Sequence, residues 1–140
     1  VISKYEVIDA IGSNMGIRYT VKRPPSETLH ESPTQVLIVT GHTYEILSPM
    51  LSGRTLTVRR QPQFNSTSTA EVRCISGDNL DTWNSSHQTF GASHELSFTV
   101  DSEWAERNRG KAVKFNWSLR LTPSDQGYLF SRLLRVDSLA

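Results

Sequence analysis

Cys74 is the single cysteine of the chain, and its thiol is the group with the greatest capacity for nucleophilic chemistry. With His42 or His94 it could form the nucleophile and base that a cysteine hydrolase needs. Cys74 also alternates with Ala70 and Val72, and this alternation turns all three side chains to one face of a strand. We therefore expect Cys74 to be a small core residue. A hydrolase is the last of three functional hypotheses, and we expect no enzymatic activity.

A polar stretch contains His87, His94, Asp78, Asp81 and Glu95, all of which carry possible metal ligands. Imidazole and carboxylate groups are common zinc ligands, but no two histidines of the chain have the i,i+4 spacing of a helical zinc site. The acidic residues do not follow the ligand order of a calcium-binding EF-hand loop. The chain also lacks a glycine-rich phosphate loop. We expect a solvated polar loop with no metal and no cofactor.

Trp83 is the tryptophan that the sequence leaves available to a ligand. It lies in the segment 76–94, which we predict to be irregular, whereas Trp104 belongs to a predicted helix and Trp117 to an apolar strand face. Long loops in compact domains often carry function, and an exposed indole can pack against a sugar ring. The second hypothesis is therefore a module that binds a sugar or a protein through this loop.

The charge pattern is the strongest indication of function. Segment 77–106 has no Lys or Arg, and segment 107–136 has a single acid, Asp125. The acids of the first segment are Asp78, Asp81, Glu95, Asp101, Glu103 and Glu106, and the bases of the second are Arg107, Arg109, Lys111, Lys114, Arg120, Arg132 and Arg135. Arginine makes planar two-point contacts with carboxylates and phosphates. Either neighbouring strands pair these charges within one molecule, or the surface binds phosphate groups or another copy of the chain.

The first hypothesis is accordingly a non-enzymatic structural or assembly module. We expect the seven bases to form a patch that binds the phosphates of nucleic acid or of an anionic membrane. The acids Asp101, Glu103 and Glu106 would meet this patch on a neighbouring copy and give a homo-oligomer. A viral coat or matrix protein fits this description by analogy alone. The formal net charge of +1 does not itself indicate a partner.

The element that would organise these residues is a long strand at 113–121. Its apolar residues occupy every second position and are Val113, Phe115, Trp117, Leu119 and Leu121. Because the side chains of a strand point alternately to its two faces, we expect these five in the core. The polar residues between them should face solvent; they are Lys114, Asn116, Ser118 and Arg120.

Shorter apolar runs predict the remaining elements. Strands are predicted at 17–22, 36–39, 43–47, 55–59, 70–74, 96–100 and 128–136, and helices at 4–11 and 102–108. Turns or loops are predicted at 12–16, 26–33, 48–53, 60–68 and 123–127. The pattern of 128–136 fits a helix equally well, and we prefer a strand because the strand before it needs a neighbour.

The 140 residues suit a single β-rich domain that spans residues 1–140. Strands and helices do not alternate, so a parallel sheet is not indicated. We expect an antiparallel β-sandwich or a partly open β-barrel of about seven or eight strands, with one or two short helices. The lone cysteine favours a reducing intracellular compartment. We interpret the glycosylation sequons at Asn65, Asn84 and Asn116 as chance occurrences.

Overall fold

A computed structural model describes residues 4–9, 14–17, 20–23, 28–31, 35–38, 45–124 and 128–140. Within them lie two short helices, α1 (Lys4–Asp9) and α2 (Ser102–Arg107). The strands are β1 (Asn14–Ile17), β2 (Thr20–Arg23), β3 (Thr28–Glu31), β4 (Gln35–Ile38), β5 (Met50–Ser52), β6 (Thr55–Arg59), β7 (Thr69–Ser76), β8 (Thr82–Asn84), β9 (Gln88–Thr89), β10 (Glu95–Thr99), β11 (Val113–Arg120), β12 (Leu129–Phe130) and β13 (Leu134–Val136). Neither described helix is long and apolar enough to cross a membrane.

Two antiparallel sheets make up the part of the fold from residue 45 onward. In the main sheet β11 pairs with β7 on one side and with β12 and β13 on the other, while β8 and β9 pair with the far edge of β7. The second sheet has the order β10–β6–β5. Two further antiparallel ribbons pair β1 with β4 and β2 with β3. The predicted mainly β, antiparallel sandwich is confirmed in an open form.

The core lies between the two sheets. The alternation of β11 buries Val113, Phe115, Trp117 and Leu119, as predicted, while Leu121 lies beyond the end of the strand and is only partly buried. These side chains pack in one cluster with the inward residues of β6, β7 and β10. Full burial of a large apolar side chain contributes roughly 1.5–3 kcal/mol, so this face stabilises the sandwich.

The predicted helix before β11 is confirmed as α2, and Trp104 fixes it to the main sheet. The indole is fully buried and meets the ring of Phe115 edge-on, with 5.9 Å between the ring centroids. The N-cap of the helix is Asp101, whose carboxylate accepts a hydrogen bond from the Trp104 backbone N–H at 2.9 Å. A carboxylate at this position also interacts favourably with the helix dipole.

Segment 128–136 forms strands rather than a helix, but it is divided in two. Between β12 and β13, Ser131 donates its backbone N–H to the Trp117 carbonyl, and its hydroxyl accepts the Trp117 N–H, both at 2.9 Å. A side chain thus replaces one backbone group of the ladder, and the following Arg132 can turn away from β11. The apolar pattern alone could not locate this interruption.

Several segments that we predicted to be loops contain strands, so those predictions were wrong. They are β1, which overlaps 12–16, β3 within 26–33, β5 within 48–53, and β8 and β9 within 76–94. These strands are short and mostly polar, and they form because a neighbouring strand supplies their hydrogen bonds, which a local pattern does not reveal.

Three other predicted segments compare as follows. The predicted strand 17–22 overlaps two strands, β1 and β2, and residues 18–19 lie outside the described part. Residues 45–49 form no strand, against the prediction for 43–47. The tip of the predicted 123–127 loop, residues 125–127, also lies outside the described residues.

The polar face of β11 departs most from expectation, because it is covered rather than solvated. Lys114, Asn116 and Ser118 are 7%, 1% and 6% exposed, so the prediction of a wet face was wrong for them. Helix α1 lies against this side of the sheet. The centre of the Tyr5 ring is 6.0 Å from Lys114 Nζ, and Asp9 Oδ1 accepts a hydrogen bond from the Leu133 N–H at 2.8 Å.

Candidate functional site

The outer face of the main sheet, which is the face turned away from the core, collects polar side chains from three strands. The register of β7 on β11 places Arg73 opposite Asn116 and Glu71 opposite Ser118. The register of β12 places Phe130 opposite Ser118 on the other side. The alternation that turns the apolar residues of β7 into the core turns Glu71 and Arg73 to this face.

Two arginines of the outer face lie over aromatic rings. Arg73 Cζ is 5.9 Å from the centre of the Phe130 ring, and Arg120 Cζ is 4.8 Å from the centre of the Tyr128 ring. Arg120 Nη2 also donates a hydrogen bond to the Tyr128 hydroxyl oxygen at 2.9 Å. Each such cation–π contact is worth about 0.5–1 kcal/mol at an exposed site. The contacts hold the guanidinium groups in place without neutralising them.

Arg73, Lys114 and Arg120 have no carboxylate partner within 4.0 Å in the described part of the chain. Lys114 Nζ donates a hydrogen bond to Asn79 Oδ1 at 2.5 Å, and Arg73 Nε donates one to Asn84 Oδ1 in β8 at 3.3 Å. Both acceptors are neutral amide oxygens. The carboxylate beside them belongs to Glu71, which is hydrogen-bonded to the His87 ring. Three cations beside one carboxylate give this face a positive potential.

A small cavity opens on the outer face, with a volume of about 190 Å³. It is lined by Glu71, Arg73, Ser118, Tyr128 and Phe130. Buried side-chain N and O atoms without a hydrogen-bond partner occur in the described residues only at Asn116 (Nδ2 and Oδ1) and at Arg120 (Nε). These two residues stand on either side of Ser118 in β11, but neither lines the cavity. A buried polar group without a partner costs about 1–3 kcal/mol, so these atoms reduce the stability of the folded protein.

The structure divides the predicted basic patch into two groups. Lys114 and Arg120 lie on the outer face, and Arg135 stands opposite Lys114 in β13. Arg107 and Arg109 lie at the end of α2, and the remaining bases are Lys111, just before β11, and Arg132, between β12 and β13. Of the seven bases, Arg120 lies beside the cavity through its contact with Tyr128, whereas Lys114 and Arg135 line a separate cavity of about 390 Å³.

Most of the other predicted bases are paired with acids of the same molecule. Arg107 makes a two-point contact with Asp81 at 3.1 and 3.2 Å. The remaining pairs are Arg109–Glu106 at 3.8 Å, Arg132–Glu45 at 3.2 Å, Arg135–Asp9 at 3.6 Å, Arg54–Glu106 at 2.5 Å and Arg59–Glu95 at 2.9 Å. Intramolecular pairing thus accounts for much of the charge pattern of the sequence.

These pairs change the acidity of the carboxyl groups. The hydrogen bond from Arg107 is the largest cause that holds the pKa of Asp81 below its usual range, and the Asn108 amide contributes. The hydrogen bond from Arg54 likewise lowers the pKa of Glu106. Of the three acids that we predicted to meet a neighbouring copy, Glu106 is therefore already paired and Asp101 caps α2, while Glu103 is exposed.

A larger groove, of about 540 Å³, lies beside Gly77, and its two aspartates are already hydrogen-bonded. Asp78 accepts hydrogen bonds from the Ser76 hydroxyl at 2.5 Å and from the Leu80 N–H at 3.0 Å. Asp81 is held by Arg107, as described above. The groove shows no buried polar atom that lacks a partner, so the outer face is the stronger candidate.

The other predicted sites are placed as follows. Trp83 lies in β8 opposite Cys74 and packs partly buried against the core, so the prediction of a free loop aromatic was wrong.

Cys74 is fully buried, as predicted, and burial raises the pKa of its thiol to about 12, with the charge of Asp101 adding to this effect. A thiol of this kind is not ionised near neutral pH and is a poor nucleophile. The described residues contain no cluster of three or more His, Cys, Asp or Glu that could hold a metal ion.

Sequence reasoning did not include Glu71, Arg73, Tyr128 and Phe130 among the site residues. The alternation around Cys74 did contain a signal, because it turns Glu71 and Arg73 away from the core. Their meeting with Phe130 depends on the order of strands in the sheet, which a single sequence does not reveal.

No protein-family model matches the sequence, and no curated protein matches it significantly. The function of this chain must therefore be inferred from the chemistry of its own residues.

Proposed function

We propose that this protein is a non-enzymatic binding module that holds single-stranded nucleic acid on the outer face of its main sheet. One observation carries the proposal: Arg73, Lys114 and Arg120 share this face without a carboxylate partner in the described chain, and two of them lie over aromatic rings. Cations of this kind contact phosphate groups, and no ion pair in the described chain engages Arg73 or Arg120, while Lys114 is covered by α1 and adds its charge from below the surface.

The rings favour nucleic acid over a membrane surface. Tyr128 is 38% exposed, and Phe130 is partly exposed beside it. Unpaired bases stack on aromatic rings and on guanidinium planes, and such stacking is worth about 1–3 kcal/mol per base. A lipid headgroup offers phosphate but no flat group for the rings, and a duplex keeps its bases stacked within itself. A single strand satisfies both kinds of side chain.

The dimensions of the face suit a short oligonucleotide. Lys114 and Arg120 are six residues apart in an extended strand, so their Cα atoms are separated by roughly 20 Å. Arg73 lies opposite Asn116, between them on the neighbouring strand. Single-strand sites on comparable β-folds accept about 4–16 nucleotides, so an octanucleotide should cover the face.

The test is fluorescence anisotropy of labelled octauridylate and octathymidylate at several salt concentrations. A variant with Arg73→Gln and Arg120→Gln removes the two partly exposed cations. If each contacts one phosphate, the slope of log affinity against log salt should become shallower by about 1.4, since each contact on a single strand contributes roughly 0.7. Affinity should fall for every sequence alike.

The matched control removes the same number of charges at Arg54 and Arg59, each replaced by Gln. These two arginines are paired with Glu106 and Glu95, so their loss should leave the salt slope unchanged. Equal effects of the two double variants would show bulk attraction and contradict the proposal. Binding to phosphatidylserine vesicles without binding to either oligonucleotide would replace nucleic acid with an anionic membrane.

Self-association through opposite charges is a second and weaker proposal. It is supported by Glu103 and Lys111, which are exposed charges without an ion-pair partner within 4.0 Å in the described chain. Each exposed pair is worth only about 0–1 kcal/mol, so association would be weak and sensitive to salt. Sedimentation of the wild type and of a Glu103→Lys variant at low and high salt tests it. A monomer at every salt concentration would exclude this assembly.

A further inference from the structure

The unpartnered buried atoms of the described chain all lie in β11 on the outer face. Asn116 is 1% exposed, yet its amide nitrogen and oxygen both lack a partner, and Arg120 Nε is buried in the same condition. Ser118 lies between these two residues and is the one of the three that lines the cavity, so the polar groups open to a ligand there are those of Ser118, Glu71 and Arg73.

The walls of the cavity indicate that the ligand is flat. Phe130 and Tyr128 supply aromatic rings, and the Arg73 guanidinium beside Phe130 adds a planar cation. Ser118 and Glu71 supply the polar groups that line the cavity. A heterocycle with hydrogen-bonding edges matches this combination, and unpaired nucleobases are recognised through stacking and through hydrogen bonds to their edges.

The carboxylate of Glu71 distinguishes among the bases. It accepts a hydrogen bond from the His87 ring, and a carboxylate has about four acceptor sites, so acceptor capacity remains. Guanine presents two adjacent donors on its pairing edge, at N1 and at the N2 amino group. Adenine, cytosine and uracil each place an acceptor beside their donor, and that acceptor would face the negative charge.

We propose that this cavity is a subsite for guanine within the bound single strand, with Glu71 accepting from N1–H and from the N2 amino group. The inference rests on the proposed function and deepens it. Guanine O6 and N7 are acceptors, so they can accept from the Arg73 guanidinium, which lines the cavity, and arginine is the commonest partner of these two atoms. The base would stack on Phe130 or Tyr128.

The experiment uses labelled octauridylate in which one central position is guanosine, inosine or adenosine, together with the corresponding DNA strands. Inosine lacks only the N2 amino group of guanosine. Loss of one hydrogen bond to a charged group weakens binding by about tenfold or more, so guanosine should bind at least about tenfold more tightly than inosine. Adenosine should bind no better than uridine. Equal affinities for RNA and DNA would show that the ribose hydroxyl takes no part.

Glu71→Gln keeps the size of the side chain and removes its charge. This variant should lose the preference for guanosine over inosine, while its affinity for plain octauridylate should not fall. The control is Glu95→Gln, which removes a carboxylate from the second sheet and should leave the preference intact. Circular dichroism of both variants establishes that the fold is retained.

Failure of the subsite differs from failure of the proposed function. Oligonucleotides that bind the outer face with equal affinity for guanosine, inosine and adenosine would overturn the subsite and leave the proposed function standing. If no oligonucleotide binds, the proposed function falls, and free guanosine and inosine are then titrated while amide signals are followed by NMR. Saturable shifts at Glu71 and Ser118 with guanosine alone would support the cavity as a guanine site, and their absence would overturn it.

Discussion

Arg73 and Phe130 meet across an intervening strand. Arg73 lies in β7 and Phe130 in β12, both strands pair with β11, and the Arg73 Cζ is nevertheless 5.9 Å from the centre of the Phe130 ring. Adjacent strands are about 4.8 Å apart, so the two side chains lean toward each other over β11. The contact passes above Asn116 and Ser118 and helps to bury these two polar side chains.

This contact should be measurable as a coupling free energy. A double-mutant cycle of Arg73→Gln and Phe130→Leu, followed by urea unfolding, should give a coupling of about 0.5–1 kcal/mol in favour of the native pair. The same cycle with Arg59→Gln in place of Arg73→Gln should give additive effects, because Arg59 lies in the second sheet and is paired with Glu95. Additivity in both cycles would show that the ring contact has no energetic role.

Replacing Asn116 with leucine should stabilise the protein. The change removes a buried amide whose nitrogen and oxygen lack partners and puts an apolar side chain of similar size in its place. We expect the free energy of unfolding to rise by about 1–2 kcal/mol, measured from the urea midpoint at constant m-value. Thr82→Val, at an exposed position of the same sheet, should change it by less than about 0.5 kcal/mol. A loss of stability in Asn116→Leu would mean that the amide is satisfied in solution.

Cys74 should make stability fall at alkaline pH. The pKa of its thiol is about 12 in the folded protein against 9.0 in the reference state, so the folded state retains a proton that the unfolded state loses. The stabilising contribution is complete below pH 9 and is lost as pH rises toward 12. The difference in unfolding free energy between the wild type and Cys74→Ala should therefore change over this interval and stay constant from pH 6 to 8. In addition, the native thiol should react with a disulfide reagent at pH 8 only upon unfolding.

Asp81 should contribute to stability at neutral pH and lose this contribution in acid. The hydrogen bond from Arg107 lowers the folded-state pKa of Asp81 below its reference value of 3.8. Its contribution is therefore present above about pH 4 and disappears as pH falls through the lower folded value. Urea unfolding from pH 2 to 7 measures this contribution. The free energy of unfolding of Asp81→Asn should be lower than that of the wild type at neutral pH and should approach the wild-type value at the acid end. Asp137→Asn, an exposed control, should track the wild type throughout, and an acid profile of Asp81→Asn parallel to that of the wild type would contradict the assignment.

Much of the fold could be predicted because alternation in a strand is a direct consequence of backbone geometry. The apolar rows of β6, β7, β10 and β11 identify the inward face without knowledge of the partner strands. The same reasoning fails for the second face of β11, since alternation separates Lys114 and Asn116 from the core but does not reveal what covers them. The cover includes α1, which lies more than a hundred residues away in the sequence.

The candidate site was predicted only in part, for a similar reason. Lys114 and Arg120 were placed on one face from the pattern of a single strand. Glu71, Arg73 and Phe130 join them through the pairing of β7 and β12 with β11, and that order is set by long-range packing. Charge counting along the sequence also could not show that Arg107 is paired with Asp81 while Arg73 has no acid partner in the described chain.

The most direct test of the account is to map the bound strand on the protein by NMR. Titration of the ¹⁵N-labelled chain with an octanucleotide that contains one guanosine should shift the amide signals of β7, β11 and β12, with the largest changes at Arg73, Ser118 and Phe130. Signals of β5, β6 and β10, on the second sheet, should stay unchanged. Shifts confined to the second sheet or to α2, or no shifts at all at low salt, would contradict the assignment of the outer face as the binding site.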